Sequence, residues 1–398
     1  MQDIGVDRIA PAADESEPHE NLQATGDRPG LDLPVPLASC ANDVLQAYRS
    51  LSGVDVLPAL SGARLLDERH TLDASRREGE AHCRLLPTAD GVIGVNLARD
   101  SDWELMPAWL EGNEASNWEQ LAEQVAKRQT SALLEQGRLL GLALADATVI
   151  PSRETPWFEP TTLHSPLTAD RRDRRPRVID LSSLWAGPLC SRLWLAAGAE
   201  VIKVEGAHRP DGARSGSPAF FEQLNSGKRC VSLDLHLPSG QAELRELIAG
   251  ADIVLEASRP RALRQMGLVA EDLLQTHPGL SWVSITGYGR QEPQANWIAY
   301  GDDAAIAAGL SAIGHQVHGQ WRVFGDAIAD PLTGLHAALA GWASWLGGGG
   351  HLLDLSLERT VRHCIVATAP ADHNYRSRYR LWRSEAETTV NRGQPSSR

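Results

Sequence analysis

Residues 325–340 (GDAIADPLTGLHAALA) bring together residue types that could perform covalent carboxylate chemistry. Asp330 precedes Pro331, and this pair predicts a helix N-terminus with Asp330 as its cap. Gly334 and a run of small residues follow in the predicted helix. Free N–H groups at a helix N-terminus favour an ionised carboxylate, which can act as a nucleophile. The residues alone leave both roles open, nucleophile or cap, and they favour the cap.

Other titratable residues are weaker candidates for a nucleophile, an acid–base group or a metal ligand. Asp326 lies in the same segment and is the nearby competitor of Asp330. Asp302 and Asp303 are adjacent on a predicted helix, where successive side chains point apart, so shared acid–base work is disfavoured. His315 and His318 lack a carboxylate or cysteine cluster that would complete a metal site, so we expect none.

The elements that must position these residues centre on residues 177–206. Residues 178–181 form a buried-strand pattern, 189–197 carry apolar residues at helical spacing, and 200–205 form a second strand pattern. Strand and helix patterns continue to alternate up to residue 286. Such alternation predicts a mainly parallel sheet, and ligands of these sheets bind beyond the carboxyl ends of the strands.

The patterns divide the chain into five segments. The predicted division is a disordered arm at 1–34, a small domain at 35–150, a linker at 151–176, the sheet domain at 177–365 and a tail at 366–398. The arm is rich in proline, glycine and acidic residues, and the linker contains five prolines. Within the small domain, the turn at 89–91 predicts a strand pair, and Asn117 can cap a helix.

Composition excludes several classes of protein. The net charge of −13 argues against a nucleic-acid-binding surface. Five cysteines lie far apart without a CxxC pair, which fits a reducing compartment. The acidic N-terminus has no apolar core of a signal peptide, and no apolar run approaches the roughly 20 residues of a membrane span. We therefore expect a cytoplasmic protein that binds neither nucleic acid nor membrane.

Four motifs, in order, resemble the class III CoA-transferases (CaiB/BaiF type), the family of formyl-CoA transferase and carnitine CoA-transferase. The motifs are DLSSLWAGPLCSRLWLAAGAEVIKVEG, LNSGKRCVSLDLHLPSG, ADIVLEASRPRALRQMGL with HPGLSWVSITGYG, and DAIADPLTGLHAALAGWASWLGGGGHLLDLSL. They cover residues 177–360, about half of the chain. The resemblance implies an α/β fold with a Rossmann-like, mainly parallel sheet and a smaller α/β domain.

The resemblance also implies an activity. The family moves CoA between an acyl-CoA thioester and a carboxylic acid, through an aspartyl anhydride and an aspartyl-CoA thioester. Its pattern of Asp, three residues and Gly matches Asp330 and Gly334, so Asp330 is the expected nucleophile. CoA and acyl-CoA are then substrates, and no tightly bound cofactor is expected. The residues expected to contact CoA are Trp185, Ala186, Leu233, His236, Ala257, Ser258, Arg264 and Tyr300.

Some positions depart from the family pattern and keep two alternatives open. Cations that the family often carries are replaced at His236, Gln265 and Ile298. The arginines that could compensate are Arg209, Arg214, Arg259, Arg261 and Arg264. The altered contacts favour a non-catalytic paralogue that scaffolds an active transferase subunit. An isomerase, racemase or dehydratase is the third hypothesis, although the histidine that related racemases use is replaced in Gly301-Asp302-Asp303.

The order of the segments also differs from the family. The region that resembles the small domain precedes the catalytic segment here, which indicates a circular permutation or part of a tandem fusion. The resemblance implies an interlocked dimer, either a homodimer or a heterodimer with a related chain. The apolar helix faces at 103–110 and 118–134, and the helix after Asp330, need a cover, which favours an obligate dimer.

Overall fold

The computed structural model describes residues 6–8, 32–69, 82–151, 155–168, 170–370, 372 and 374–393. The strands are β1 Val6–Arg8, β2 Cys83–Pro87, β3 Val92–Asn96, β4 Ala143–Asp146, β5 Val149–Pro151, β6 Phe158–Thr162, β7 Arg177–Leu181, β8 Glu200–Gly206, β9 Arg229–Leu233, β10 Ile253–Glu256, β11 Ser281–Thr286 and β12 His351–Ser356. The helices are α1 Leu37–Ser52, α2 Gly62–Leu66, α3 Met106–Trp109, α4 Trp118–Val125, α5 Thr130–Leu140, α6 Ala186–Ala196, α7 Pro218–Asn225, α8 Pro238–Ala249, α9 Pro260–Gln265, α10 Ala270–Thr276, α11 Gly301–Ala307, α12 Leu310–His318, α13 Ala329–Leu346, α14 Leu357–Ala367 and α15 Tyr375–Gly393.

The large sheet has seven strands in the order β6-β12-β11-β10-β7-β8-β9. Every pairing is parallel except that of the edge strand β6 with β12. Helices cover both faces, so the central strands β7 and β10 are mostly apolar and buried, with Asp180 and Glu256 as buried charges near their carboxyl ends. The chain runs from β7 outward through β8 and β9, then returns to place β10 on the other side of β7. The predicted Rossmann-like, mainly parallel sheet is confirmed, with its topological switch point between β7 and β10.

A second, smaller α/β unit lies at residues 83–146. Strands β2, β3 and β4 form an antiparallel sheet, and helices α3, α4 and α5 enclose an apolar cluster against it. Trp109 and Leu121 are fully buried in that cluster. Asn117 caps α4, because its side-chain oxygen accepts a hydrogen bond from the Gln120 N–H at 2.9 Å. The predicted strand pair and the predicted cap are both confirmed. We call this part the small-sheet unit.

The small-sheet unit packs against α11 of the same chain. Ile306 of α11 fits beneath Gly94 of β3, where a Cβ atom would lie 2.8 Å from the Ile306 side chain. Beside it, the Asn96 side-chain amide donates a hydrogen bond to Asp303 Oδ1 at 2.8 Å. Both groups are buried, so this polar contact fixes the small-sheet unit on the helix that precedes the catalytic segment.

The segment boundaries differ from the predicted division in several places. Helix α1 packs on α13, and the Tyr48 hydroxyl donates to the Leu193 carbonyl oxygen at 3.0 Å, so this helix joins the core of the large sheet. The predicted linker contributes β6, and the predicted tail contains α15. Most of the predicted arm lies outside the described residues, but Val6–Arg8 pairs with β5.

The apolar helix faces that motivated an obligate dimer are covered within the chain. The faces of α3, α4 and α5 form the core of the small-sheet unit, and α13 is buried among α1, α6 and α14. Among the described residues, no helix is both long enough and apolar enough to cross a membrane.

Candidate active site

A cleft of about 2060 Å³ opens at the carboxyl ends of the parallel strands, beside the switch point between β7 and β10. The loops that follow β7, β8, β10 and β11 line one side of it. The small-sheet unit lines the other side, with Asn96 and Arg99 among its contributions. Asp330 lies in the wall of this cleft. The fold therefore places the candidate nucleophile where open α/β sheets bind their ligands.

Asp330 is held by a neighbouring helix and does not cap its own. It lies in the first turn of α13, whose N-cap is Ile328, so the predicted capping role is wrong. Its Oδ1 instead accepts a hydrogen bond at 3.4 Å from the N–H of Ala186, the first residue of α6. Gly334, one turn further along α13, permits this approach, because a Cβ atom there would overlap the Ala186 carbonyl oxygen. The Asp-x3-Gly spacing thus places the Asp330 carboxylate against the N-terminus of α6, whose first N–H groups have no partner within that helix.

Asp326, the competing candidate, is engaged by a cation. The Arg69 Nε donates to Asp326 Oδ2 at 2.8 Å, and Arg69 Nη2 donates to Asp326 Oδ1. The Arg69 guanidinium also lies over the Trp185 ring, 5.3 Å from its centroid. Asp330 makes no ion pair with any residue in the described part of the chain, so it is the better placed of the two to attack a substrate.

Burial sets the protonation of Asp330. It raises the pKa of this carboxyl to about 7, against the opposing effects of the Arg69 charge and the Ala186 N–H. The negative charges of Asp302 and Asp326 contribute to the rise. Both protonation states are therefore populated near neutral pH. The helix N–H group favours the ionised form as expected, but loss of hydration raises the pKa by more than this one donor lowers it.

Buried ion pairs support the loop between β7 and α6. Leu184 in this loop has a φ of +68°, a strained value for a residue with a side chain. Its N–H donates to Asp211 Oδ1 at 2.9 Å, and Asp211 pairs with Lys203. Lys203 Nζ donates to the Ser182 carbonyl oxygen at 2.8 Å. These contacts fix the turn that presents the Ala186 N–H.

Five of the eight residues expected to contact CoA line the cleft together with Asp330; they are Trp185, Ala186, Ala257, Ser258 and Tyr300. Trp185 is only 1% exposed and packs edge-to-face on Phe220, with ring centroids 5.1 Å apart. Its ring therefore has little surface left for a ligand to cover.

The other three expected CoA contacts do not line the cleft. Leu233 is buried at the end of β9, and its carbonyl oxygen accepts the Ala207 N–H. His236 is exposed, 5.5 Å from the ring of His208. Arg264 pairs with Glu271 at 3.2 Å. A role of these three residues in CoA binding stays a prediction.

A cluster of arginines lies at the mouth of the cleft; its members are Arg99, Arg209, Arg259 and Arg261. Burial lowers the pKa of Arg259, and the positive charges of the other three arginines lower it further. Within the described residues, the side chains of Arg209, Arg259 and Arg261 have no acidic partner. Arg99 pairs with Asp102, whereas the other three positive charges converge without a counter-ion among the described residues and so form a site for an anionic ligand. We call these residues the arginine cluster.

Sequence reasoning named three members of the arginine cluster and missed other residues of the site. Arg69 and Arg99 were missed because neither lies in the four motifs at residues 177–360 from which the site residues were inferred. Lys203 could have been recognised from the sequence, because a lone cation in the apolar strand Val-Ile-Lys-Val must be buried with a partner. Among the described residues, no group of three His, Cys, Asp or Glu side chains could hold a metal ion.

Comparison with known proteins gives a consistent assignment. The model of CoA-transferase family III matches residues 176–382. Succinate–glutarate CoA-transferase of Agrobacterium fabrum is 32% identical over 210 residues, which are 47% of this chain and 52% of that protein. Succinyl-CoA–D-citramalate CoA-transferase of Chloroflexus aurantiacus is 31% identical over 217 residues, which are 51% and 54% of the two chains. The chain thus spans about half the length of the curated relatives it matches. A CaiB/BaiF family protein from Brucella suis aligns with a TM-score of 0.45 and 29% identity, over 48% of this chain and 55% of that one.

The contact at Gly334 gives a direct test of the site's geometry. We expect Gly334→Ala to lower the free energy of unfolding by about 1–3 kcal/mol, because the added methyl group pushes α13 away from α6. Gly347→Ala, at the exposed C-terminal end of the same helix, is the matched control and should change stability by less than about 0.5 kcal/mol. Urea unfolding measures both values. Equal stability of the two variants would contradict the close approach of the helices.

Proposed function

Since the chain belongs to CoA-transferase family III, we propose that it transfers CoA between an acyl-CoA thioester and a carboxylic acid, with Asp330 as the nucleophile. One observation carries this proposal. Asp330 lies in the cleft at the switch point and accepts a hydrogen bond from the Ala186 N–H, and no cation in the described part of the chain forms an ion pair with it. A carboxylate in that position can attack a thioester carbonyl, and its own carbonyl can later be attacked.

The reaction divides into two matched halves. Asp330 attacks the acyl carbonyl of the donor thioester. The C–S bond breaks, which releases CoA thiolate and forms a mixed anhydride between Asp330 and the donor acyl group. The thiolate then attacks the Asp330 carbonyl of that anhydride, which releases the donor acid and leaves an aspartyl-CoA thioester. The acceptor carboxylate attacks this thioester and expels the thiolate. The thiolate finally attacks the acceptor's acyl carbonyl, which forms the new acyl-CoA and restores the Asp330 carboxylate.

The Ala186 N–H has a role in these steps. Each attack on the Asp330 carbonyl develops negative charge on a carboxyl oxygen. The Ala186 N–H already donates to Oδ1, and α6 directs the positive end of its dipole at the same atom. A preorganised donor of this kind stabilises the tetrahedral intermediate without reorganising during the reaction.

The arginine cluster supports the binding of CoA. CoA carries a pyrophosphate and a 3′-phosphate, and arginine side chains bind phosphate oxygens through charge-assisted hydrogen bonds. Arg209 follows β8, and Arg259 and Arg261 follow β10, so both loops deliver cations to one end of the cleft. We assign the CoA phosphates to this cluster and the pantetheine arm to the path past Ala257, Ser258 and Tyr300 towards Asp330.

The acid substrate in this proposal is a small dicarboxylic acid. The relatives from Agrobacterium fabrum and Chloroflexus aurantiacus are named for succinate, glutarate, succinyl-CoA and D-citramalate. The named acids are short and dicarboxylic. Succinyl-CoA with glutarate is therefore the first substrate pair to test.

Replacement of the nucleophile is the central test. Asp330→Asn keeps the shape of the side chain but removes the attacking charge, so transfer should fall by more than about 10³-fold with little loss of thermal stability. Mass spectrometry of the wild-type protein after incubation with succinyl-CoA should detect a covalent CoA adduct that Asp330→Asn lacks. Asp326→Asn is the matched control and should still form the adduct. Full activity of Asp330→Asn would contradict the assignment, and a wild type that binds CoA without forming an adduct would favour the scaffold alternative.

A second test addresses the arginine cluster. Arg259→Gln should weaken CoA binding by about 10- to 100-fold, because it removes a charge-assisted contact with a phosphate group. Isothermal titration calorimetry with CoA measures this change, and the loss should shrink at high salt. Arg264→Gln is the comparison, since Arg264 pairs with Glu271 outside the cleft lining. A loss of affinity confined to Arg264→Gln would contradict the placement of the CoA phosphates at the arginine cluster. It would support the sequence-based prediction that Arg264 contacts CoA.

We also propose that the protein assembles as a dimer, as the family resemblance implies, either with itself or with a related chain. The helix faces that first favoured this assembly are covered within the chain, so the resemblance alone supports it. Light scattering on the purified protein should give about twice the monomer mass of 43.1 kDa. A stable and active species at the monomer mass would contradict an interlocked dimer.

A further inference from the structure

Arg69 reaches the cleft from outside the segment that matches the family. It lies just after α2, whereas the matched segment begins at residue 176. Two hydrogen bonds to Asp326 and the face of the Trp185 ring hold its guanidinium in place. A long side chain with four rotatable bonds is therefore fixed before any ligand binds, which reduces the entropy lost on binding.

The contacts of Arg69 with Asp326 leave some N–H donors of its guanidinium available for a ligand. A guanidinium has five N–H donors in a planar fork that matches a carboxylate. Asp326 occupies Nε and Nη2, and Nη1 makes no hydrogen bond with any residue that the structure describes. The Arg69 side chain is 22% exposed and lines the cleft. It can therefore contact a ligand without breaking its pair with Asp326.

The charges around Asp330 create a need for such a cation. The negative charges of Asp302 and Asp326 both raise the pKa of Asp330, so they also oppose the approach of a further anion to this carboxyl. The acid substrate must bring a further carboxylate to the Asp330 carbonyl, where repulsion and loss of hydration oppose it. Arg69 is the cation whose positive charge acts on Asp330 in the opposite direction.

We infer that Arg69 binds the carboxylate of the acid substrate beside Asp330, with Asp326 and Trp185 fixing its orientation. The inference rests on the proposed function and adds to it a residue that recognises the acid. The donor thioester has no carboxylate at its reacting carbon, so Arg69 acts mainly in the steps that involve the free acid. It is a binding residue, and Asp330 remains the nucleophile.

Discharge of the covalent adduct by glutarate isolates the step in which the free acid binds and attacks. The adduct is formed with succinyl-CoA, freed of excess reagent, and discharged with increasing concentrations of glutarate while mass spectrometry follows its loss. Arg69→Gln should raise the glutarate concentration for half-maximal discharge by about tenfold or more. Arg69→Lys keeps the charge but loses the planar fork, so its value should lie between wild type and Arg69→Gln. Arg64→Gln, an exposed arginine of α2, is the matched control and should resemble wild type.

The pH dependence of adduct formation separates this role from a purely structural one. Adduct formation requires ionised Asp330, so its rate should rise with pH through a midpoint near 7. Among the described residues, the charges that act on Asp330 are those of Arg69, Asp302 and Asp326, and loss of Arg69 removes the positive charge of this set. The midpoint should therefore move to higher pH in Arg69→Gln and stay near 7 in Arg69→Lys. An unchanged midpoint together with unchanged glutarate dependence would overturn the inference.

A binding experiment distinguishes failure of this inference from failure of the proposed function. Saturation-transfer NMR measures the binding of glutarate alone to the wild type and to Arg69→Gln. If the wild type forms no adduct but binds glutarate, and Arg69→Gln does not bind it, the transferase proposal fails while carboxylate binding by Arg69 is supported. If the wild type forms the adduct and Arg69→Gln binds and discharges with glutarate as the wild type does, the inference fails and the transferase proposal stands.

Discussion

The close contact between α6 and α13 is the constraint on which the site depends. Two glycines one heptad apart, Gly334 and Gly341, face α6 along α13. A side chain at Gly334 would overlap the Ala186 carbonyl oxygen, and one at Gly341 would overlap the Trp194 ring. Trp194 closes the contact by donating its indole N–H to the Ala338 carbonyl oxygen at 2.9 Å. With larger residues at these positions, Asp330 would lie beyond reach of the Ala186 N–H.

Buried charges beneath the loop at 182–185 also hold the Ala186 N–H within reach of Asp330, because they support the loop that leads into α6. Lys228 and Lys203 hold the pKa of Asp180 below its usual value although the carboxylate is buried. Burial in turn lowers the pKa of Lys228 to about 8. Ion pairs of this kind contribute little net stability, because desolvation opposes the attraction. We interpret them as positioning groups, since they anchor a loop whose strained Leu184 would otherwise relax.

The sequence predicted the features that depend on local patterns. Alternating apolar strands and helices gave the large sheet, and Asn117 identified a helix start that the structure confirms. The docking of α1 could not be predicted, because an amphipathic helix shows which of its faces is buried but not what covers it. The position of Arg69 beside Asp326 depends on tertiary packing across more than 250 residues of sequence. The pKa of Asp330 depends on burial, which the helix-terminus argument did not include.

The small-sheet unit explains how one chain can line both sides of the cleft. Residues 83–146 precede the catalytic segment, and they dock on α11 through Asn96, Asp303 and the Ile306–Gly94 contact. That docking places Arg99 in the same cleft as Arg259, although the two arginines belong to different sheets. The α11 contact therefore lets the small-sheet unit present its groups to the cleft from the same chain that carries Asp330.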